Sequence, residues 1–224
     1  MKSKKVQKMD RLDLVKIENF LDYESKVETK DKTFEKLMLI YSMAIRELET
    51  KIGIIKDEFK MLYDYDLIDH VNTRIKKPES IIKKMEQKQC KLTYKEMIEN
   101  INDIAGIRVI CPLKKDIYSI RNLIEKLPGL NILNEKDYIS YPKESGYSSY
   151  HLIVEVPVML SQKILYVKVE IQIRTLAMDF WASLEHKMKY KPDKELSKKE
   201  SKELVSYAKM VNKLDNRMML LSEG

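Results

Sequence analysis

The sequence predicts an α+β domain, a small mixed β-sheet flanked by helices, with helical extensions at the N- and C-terminal ends. Three observations carry that expectation. Apolar residues recur at helical spacing near both ends of the chain, and the middle switches to a period of two. Only 5 glycines and 6 prolines in 224 residues leave few places for long irregular loops.

Taken in order, Leu37, Tyr41, Ile45, Leu48, Ile52, Ile55, Phe59 and Leu62 step by three and four, forming one face of a long helix in which Gly53 is a weak point. A second helix is expected to start near Ser80, after a Pro-Glu-Ser turn. "TYKE", Thr93 to Glu96, and "SKKE", Ser197 to Glu200, have capping-box spacing and should open two more. "IRVIC", Ile107 to Cys111, is a β-branched run closed by Pro112, and reads as a strand. "LPGL", Leu127 to Leu130, separates a helix from the segment that follows. "YHLIVEV" alternates Leu152, Val154 and Val156 against His151, Ile153 and Glu155. In "ILYVKVEIQIRT" the alternation is strongest: Leu165, Val167, Val169, Ile171 and Ile173 point one way, and Tyr166, Lys168, Glu170, Gln172 and Arg174 the other. The last helix carries Leu204, Ala208, Val211, Leu214, Met218 and Leu221, a stripe that must pack either on its own domain or on a second subunit.

A hydrophobic fraction of 44% supports a substantial core and excludes a disordered chain. The net charge of +7 attracts polyanions, yet 35 acidic residues are interspersed with 42 basic ones, so no single block accounts for the excess. Nucleotides, RNA and anionic surfaces are the partners this balance allows; DNA is not expected. Cys90 and Cys111 lack any CxxC or Cys/His spacing, so they are expected as reduced thiols rather than zinc ligands or a disulfide. The lysines of "MKSKKVQKMDRLDLVK" are followed by no apolar run, and nothing approaches the roughly 18 apolar residues of a spanning helix. A cytoplasmic protein without membrane partners is therefore expected.

Four clusters could carry chemistry. On the polar strand face, alternate residues lie about 6.5–7 Å apart, so a triphosphate along Lys168, Glu170, Gln172 and Arg174 could meet a cation, a carboxylate and an amide in turn. A half-exposed strand with a solvated outer face has the same pattern. Asp103 stands just before the strand that holds Arg108, where a carboxylate suits Mg²⁺, and Glu170 could be its partner; a plain turn aspartate is the alternative. A strict pleat puts Asp103 and Arg108 on opposite faces, so their joint use needs a bend, and Gly106 is where a bulge could occur. In "RIKKPESIIKKMEQK", Arg74, Lys76, Lys77, Lys83 and Lys84 surround a helix start, which makes a phosphate site or a merely solvated charge run. In "YPKESGYSSYH", Lys143 can hold a phosphate, Gly146 permits a turn or close approach, and Tyr147 can offer its ring to a base. His151 would share the space of Glu170 if the two strands are neighbours. A tyrosine-rich turn with packed rings and a structural histidine is the other reading.

Together and in this order, "RIKKPESI", "DIAGIRVI", "PKESGYSSYH" and "VEIQIRTLAMDFWASLEHK" resemble the RelA/SpoT-type (p)ppGpp synthetases, specifically the small alarmone synthetases, over about Arg74 to Lys191. The resemblance implies a nucleotidyltransferase-like sheet and Mg²⁺-dependent transfer of the β,γ-pyrophosphate of ATP to the 3′-hydroxyl of GDP or GTP. It implies a synthetase without its own hydrolase domain. It divides the chain into an N-terminal extension (1–32), a catalytic domain (33–192) and a C-terminal helical segment (193–224). By the same resemblance, Arg74 and Arg108 sandwich adenine, and Lys76, Ser80 and Lys84 surround the ATP phosphates. Asp103 is the magnesium ligand; Glu170 activates the 3′-hydroxyl and assists the metal. Tyr147 stacks on guanine, Lys143, His151 and Gln172 line the acceptor site, and Asp179 stands where some relatives place asparagine near the guanine. Ser148 departs from the arginine or other long polar residue of many relatives, which bears on the choice between GDP and GTP. Several small synthetases are homotetramers, and an RNA or an alarmone is a candidate regulatory partner. Two other readings compete. Enzymes of the same fold that move a nucleotidyl group usually carry a close acidic pair on one strand, which Asp103 and Glu170 are not. A basic RNA-binding module would use the lysines and tyrosines but has no need of those carboxylates.

Overall fold

The structure, a computed structural model, describes residues 14–16, 30–189 and 197–222. Along the chain run β1 (Leu14–Lys16), α1 (Lys30–Tyr63), β2 (His70–Ile75), α2 (Pro78–Gln87), α3 (Tyr94–Asn100), β3 (Ala105–Cys111) and α4 (Lys114–Glu125). Then come β4 (Asn131–Asp137), β5 (Tyr150–Met159), β6 (Ile164–Thr175), α5 (Leu176–Lys189) and α6 (Lys198–Leu221). The sheet order is β2-β3-β6-β5-β4, with β1 beside the start of β6. Strands β1 and β3 run parallel to β6 and the other pairs are antiparallel, so the sheet is mixed, as expected.

One face of this sheet is the core. Ile107, Val109, Leu152, Val154, Val167, Val169, Ile171 and Ile173 are fully buried on it, beneath Leu37, Tyr41, Leu48 and Ile52 of α1 and Ile117, Ile120 and Ile124 of α4. The α1 stripe ends where the sheet does: Phe59 is only partly buried and Leu62 is exposed. The other face carries the polar alternates of β2, β3, β5 and β6 and is the floor of the site described below.

Four details differ from the sequence reading. Helix α2 starts at Pro78, not near Ser80, because proline at the first helical position forfeits only an N–H that has no partner there. Thr93 and Ser197 both open helices as expected, but of these two motifs only Ser197 and Glu200 close a reciprocal box: the Thr93 hydroxyl accepts from the Glu96 N–H, while the Glu96 carboxylate turns to Asn100 Nδ2 at 3.0 Å. No bulge occurs at Gly106: β3 pairs with β6 without a break from Ala105 to Cys111. Asp103 sits in the turn before β3, and that turn provides the bend. The strands β1, β2 and β4 were not read at all; β2 and β4 are sheet edges, mostly exposed, with only Val71 and Ile75 of β2 in apolar alternation.

The α6 stripe divides. Leu204 and Ala208 pack with Trp181 and Ala182 of α5 in a small second core, whereas Leu214, Met218 and Leu221 are exposed. In line with Leu204 and Ala208, Asp215 is buried and accepts from Thr175 Oγ1 at 2.7 Å, and the Trp181 indole donates to the Leu204 carbonyl at 3.1 Å. Cys90 and Cys111 are both free. Among the described residues, no helix is long and apolar enough to cross a membrane.

Candidate active site

Register alone places most of the candidate residues. Across the polar face, Arg74 stands opposite Gly106, Gly106 opposite Glu170, and Glu170 opposite Ile153 and, through it, Asn134. One pleat along, Asn72, Arg108, Gln172, His151 and Lys136 form the next row. Two cavities open on these rows. A smaller one of about 140 Å³ is lined by Asn72, Thr73, Arg74, Gly106, Ile107, Arg108, Glu170 and Gln172. A larger one of about 340 Å³ is lined by Lys84, Lys88, Asn102, Asp103, Asn134, Lys136, Tyr138, Lys143, His151, Ile153 and Glu170. Glu170 belongs to both.

The two carboxylates are held differently. Asp103 Oδ2 takes Lys76 Nζ and Lys84 Nζ, each at 2.8 Å. Burial pushes its pKa up, but the two ammonium groups outweigh that and hold the carboxyl below the usual range. Burial likewise pushes Glu170 up, and hydrogen bonds from His151 Nδ1 (3.3 Å) and Gln172 Nε2 (2.8 Å) bring it below its ordinary value. Both groups are therefore anions in the same cavity. Asp103 Oδ1 is buried and has no hydrogen-bond partner. A free hard oxygen on one carboxylate, with a second carboxylate nearby, fits Mg²⁺. Among the described residues no group of three or more His, Cys, Asp or Glu side chains is arranged to hold a metal, so such an ion would take its remaining ligands from phosphates and water, as Mg²⁺ does.

Tyr147 lies beyond the larger cavity. Its hydroxyl meets His151 Nε2 at 2.8 Å and Arg174 Nη2 at 2.5 Å. Its ring packs against the Trp181 cluster, with Lys143 Nζ and the Arg174 guanidinium carbon 4.9 and 5.0 Å from its centroid. Lys143 is also 4.7 Å from the ring of Tyr138. Asp179, in the first turn of α5, takes Arg108 and Arg174 on its Oδ1, each at 3.0 Å. Burial, and then the neighbouring Arg174, lowers the pKa of Arg108.

The structure thus gathers Arg74, Arg108, Glu170 and Gln172 around one cavity and Lys84, Asp103, Lys143, His151 and Glu170 around the other, with Lys76 joined through Asp103. It does not bring Ser80 to either lining: that residue is exposed in the first turn of α2. Asp179 lines neither cavity, and Ser148 lines a third of about 350 Å³, between the 142–148 loop and α6. Lys168 leaves the polar face to donate to the Ile98 and Glu99 carbonyls at the end of α3. Asn134, Lys136 and Tyr138 were missed because they follow from β4, whose run of consecutive polar residues, Asn134 to Asp137, carries no strand alternation. Arg174 was read as one of four polar residues along which a triphosphate could lie, but it was given no role of its own by the resemblance.

The chain is similar to known proteins in both sequence and fold. A family model described as "Region found in RelA / SpoT proteins" matches residues 73–195. The chain is 46% identical to the GTP pyrophosphokinase YwaC of Bacillus subtilis over 182 residues, covering 81% of this chain and 87% of that protein. The crystal structure of small alarmone synthetase 2 from Bacillus subtilis matches with a TM-score of 0.77 and 42% identity, over 85% of this chain and 98% of that one. Small alarmone synthetase 1 of the same organism, bound to its product pppGpp, matches with a TM-score of 0.79 and 34% identity, over 86% and 97% of the two chains. By this agreement of sequence and fold, the chain belongs to the RelA/SpoT family.

Proposed function

We propose that the protein transfers the β,γ-pyrophosphate of ATP to the 3′-hydroxyl of GDP or GTP, forming ppGpp or pppGpp and releasing AMP. The observation that carries this reading is Glu170 as the shared wall of two cavities, one flanked by arginines and the other by lysines, His151 and Asp103. The smaller cavity takes adenine between Arg74 and Arg108. The phosphates then run toward Lys76, Lys84 and the first turn of α2 with Ser80. The larger cavity takes the acceptor, its phosphates near Lys143, its sugar near His151 and Gln172, and its base on Tyr147 once Lys143 leaves that ring.

In the reaction the 3′-oxygen attacks the β-phosphorus, the bond from that phosphorus to the oxygen bridging toward the α-phosphate breaks, and AMP departs. The proton of the 3′-hydroxyl passes to Glu170, which is ionised and faces both cavities. Mg²⁺ held by Asp103 with help from Glu170 would neutralise charge on the phosphates. Lys76 and Lys84 orient Asp103 and add positive charge on the donor side. Asp179 is better read as the counter-ion of Arg108 and Arg174 than as a guanine contact.

We also read residues 33–192 as the catalytic domain, acting in the cytoplasm, and the exposed apolar residues of α6 with those of α1 as a homotetramer contact. Thin-layer chromatography of ATP labelled on the γ-phosphate, incubated with GMP, GDP or GTP in separate reactions, tests the activity. The label should move to a 3′-pyrophosphorylated guanosine with AMP as co-product; label found only in ATP or free phosphate would sink the reading.

A further inference from the structure

Arg174 is 4% exposed, and every nitrogen of its guanidinium has a partner. Nε donates to Ser149 Oγ (3.3 Å), Nη1 to Asp179 Oδ1 (3.0 Å), and Nη2 to both the Tyr147 hydroxyl (2.5 Å) and Gln172 Oε1 (2.8 Å). From Nη2 two arms lead to Glu170. Along one, Gln172 Nε2 donates to Glu170 Oε2 at 2.8 Å. Along the other, the Tyr147 hydroxyl meets His151 Nε2 at 2.8 Å, and His151 Nδ1 meets Glu170 Oε1 at 3.3 Å. The arms close into a ring.

Arg174 and Glu170 set the direction of that ring from its two ends. Arginine only donates, so Gln172 must turn its oxygen to Arg174 and its NH₂ to Glu170. The Tyr147 oxygen accepts from Arg174, and the same hydroxyl pairs with His151 Nε2. Glu170, as a carboxylate, only accepts, so His151 Nδ1 donates to it. Both oxygens of Glu170 are thus gripped by donors on arms that begin at a single guanidinium.

We infer that Arg174 is a positioning residue for pyrophosphate transfer, and that the Tyr147 hydroxyl is the node through which it fixes the Glu170 carboxylate against the acceptor loop. The inference rests on the reading of Glu170 as base and of Tyr147 as acceptor platform. It separates two functions within one tyrosine: the ring binds the base, and the hydroxyl orients the carboxylate.

Tyr147→Phe keeps the aromatic ring and breaks the arm through His151, leaving only the Gln172 arm between Arg174 and Glu170. In steady-state assays its kcat should fall about 100-fold, the scale of a misplaced catalytic group, with the KM for GDP within about threefold of wild type. Arg174→Lys keeps the charge but not the fork and should lose kcat similarly, with GDP binding read by the fluorescence of Trp181, the single tryptophan. Tyr147→Phe with wild-type kcat, or with a raised GDP KM and unchanged kcat, overturns the inference, even should Arg174→Lys fail to fold. Glu170→Gln is assayed alongside. If it retains turnover, the base assignment itself is wrong; if it is inactive while Tyr147→Phe is fully active, only the positioning role falls.

Discussion

One carboxylate oxygen of Asp179 serves two guanidinium groups, so Arg108 and Arg174 are joined across β3 and β6 by an anion on α5. If that is its work, Asp179→Ala frees Arg108, whose place beside Arg74 in the smaller cavity then loosens. A lost charge-assisted hydrogen bond is worth about 1.5–3 kcal/mol, so the KM for ATP should rise about tenfold or more, at least as much as that for GDP. Varying each nucleotide separately checks this; a change confined to GDP would return Asp179 to the guanine. Asp103 has its own pH signature. Its folded-state pKa is lowered against the competing effect of burial, so the stability it contributes is full above its unfolded value of about 3.9 and is lost as pH falls through the folded one. Asp103→Asn should therefore unfold more easily than wild type at pH 7, by roughly 1–2 kcal/mol once the partial exposure of Lys84 is discounted, and the gap should close below about pH 4 in thermal melts. At this scale the sequence was legible where residue type and neighbours sufficed, as with Glu170 amid a polar alternation or Tyr147 after Gly146. Ion pairs such as Arg108 with Asp179 were not, because only strand register and the entry angle of α5 create them.

At the scale of elements, legibility followed burial. Strands β5 and β6 have neighbours on both sides and a core beneath, so selection for one dry face writes a period of two into them. Strands β2 and β4 are edges, mostly exposed, and β4 shifts register against β5 between Ile132 and Asn134; nothing forces an apolar alternation there. The contact between the 142–148 loop and α6 was equally hidden, although Gly146 marked the spot. Gly146 has φ +86°, and a Cβ on it would lie 2.4 Å from the Cβ of Ala208. The loop is thus seated directly on the C-terminal helix, which also holds Trp181 and Thr175. Gly146→Ala should cost about 1–3 kcal/mol through overpacking, and should raise the KM for GDP more than that for ATP as the loop lifts from α6. Adding Ala208→Gly makes room for the new methyl and should recover part of both losses, the positive φ accounting for the remainder. A single variant with wild-type melting and KM values would show that the loop does not depend on this seat.

At the scale of the whole molecule, α6 presents two faces of unequal fate. Leu204, Ala208 and Asp215 fasten it to its own subunit, while Tyr207, Met210, Leu214, Met218 and Leu221 stay exposed along one flank of the helix. Helix α1 does the same with Leu39, Ile54, Met61 and Leu62. A net charge of +7 favours solubility but does nothing to cover such residues; association with further copies of the chain would. Met210 and Met218 are 62% and 51% exposed in the single subunit, so placing glutamate at both removes no intrachain packing of consequence and should leave the melting temperature of the isolated subunit nearly unchanged. Within an interface the same pair of charges would be desolvated without partners, at a cost of several kcal/mol per contact. Sedimentation velocity on wild type and on Met210→Glu/Met218→Glu therefore distinguishes the cases. The homotetramer reading expects a fall from the tetramer to a smaller species that remains folded. Identical sedimentation of the two proteins, or a wild type that is already monomeric, would mean that the exposed stripe of α6 is surface and not interface.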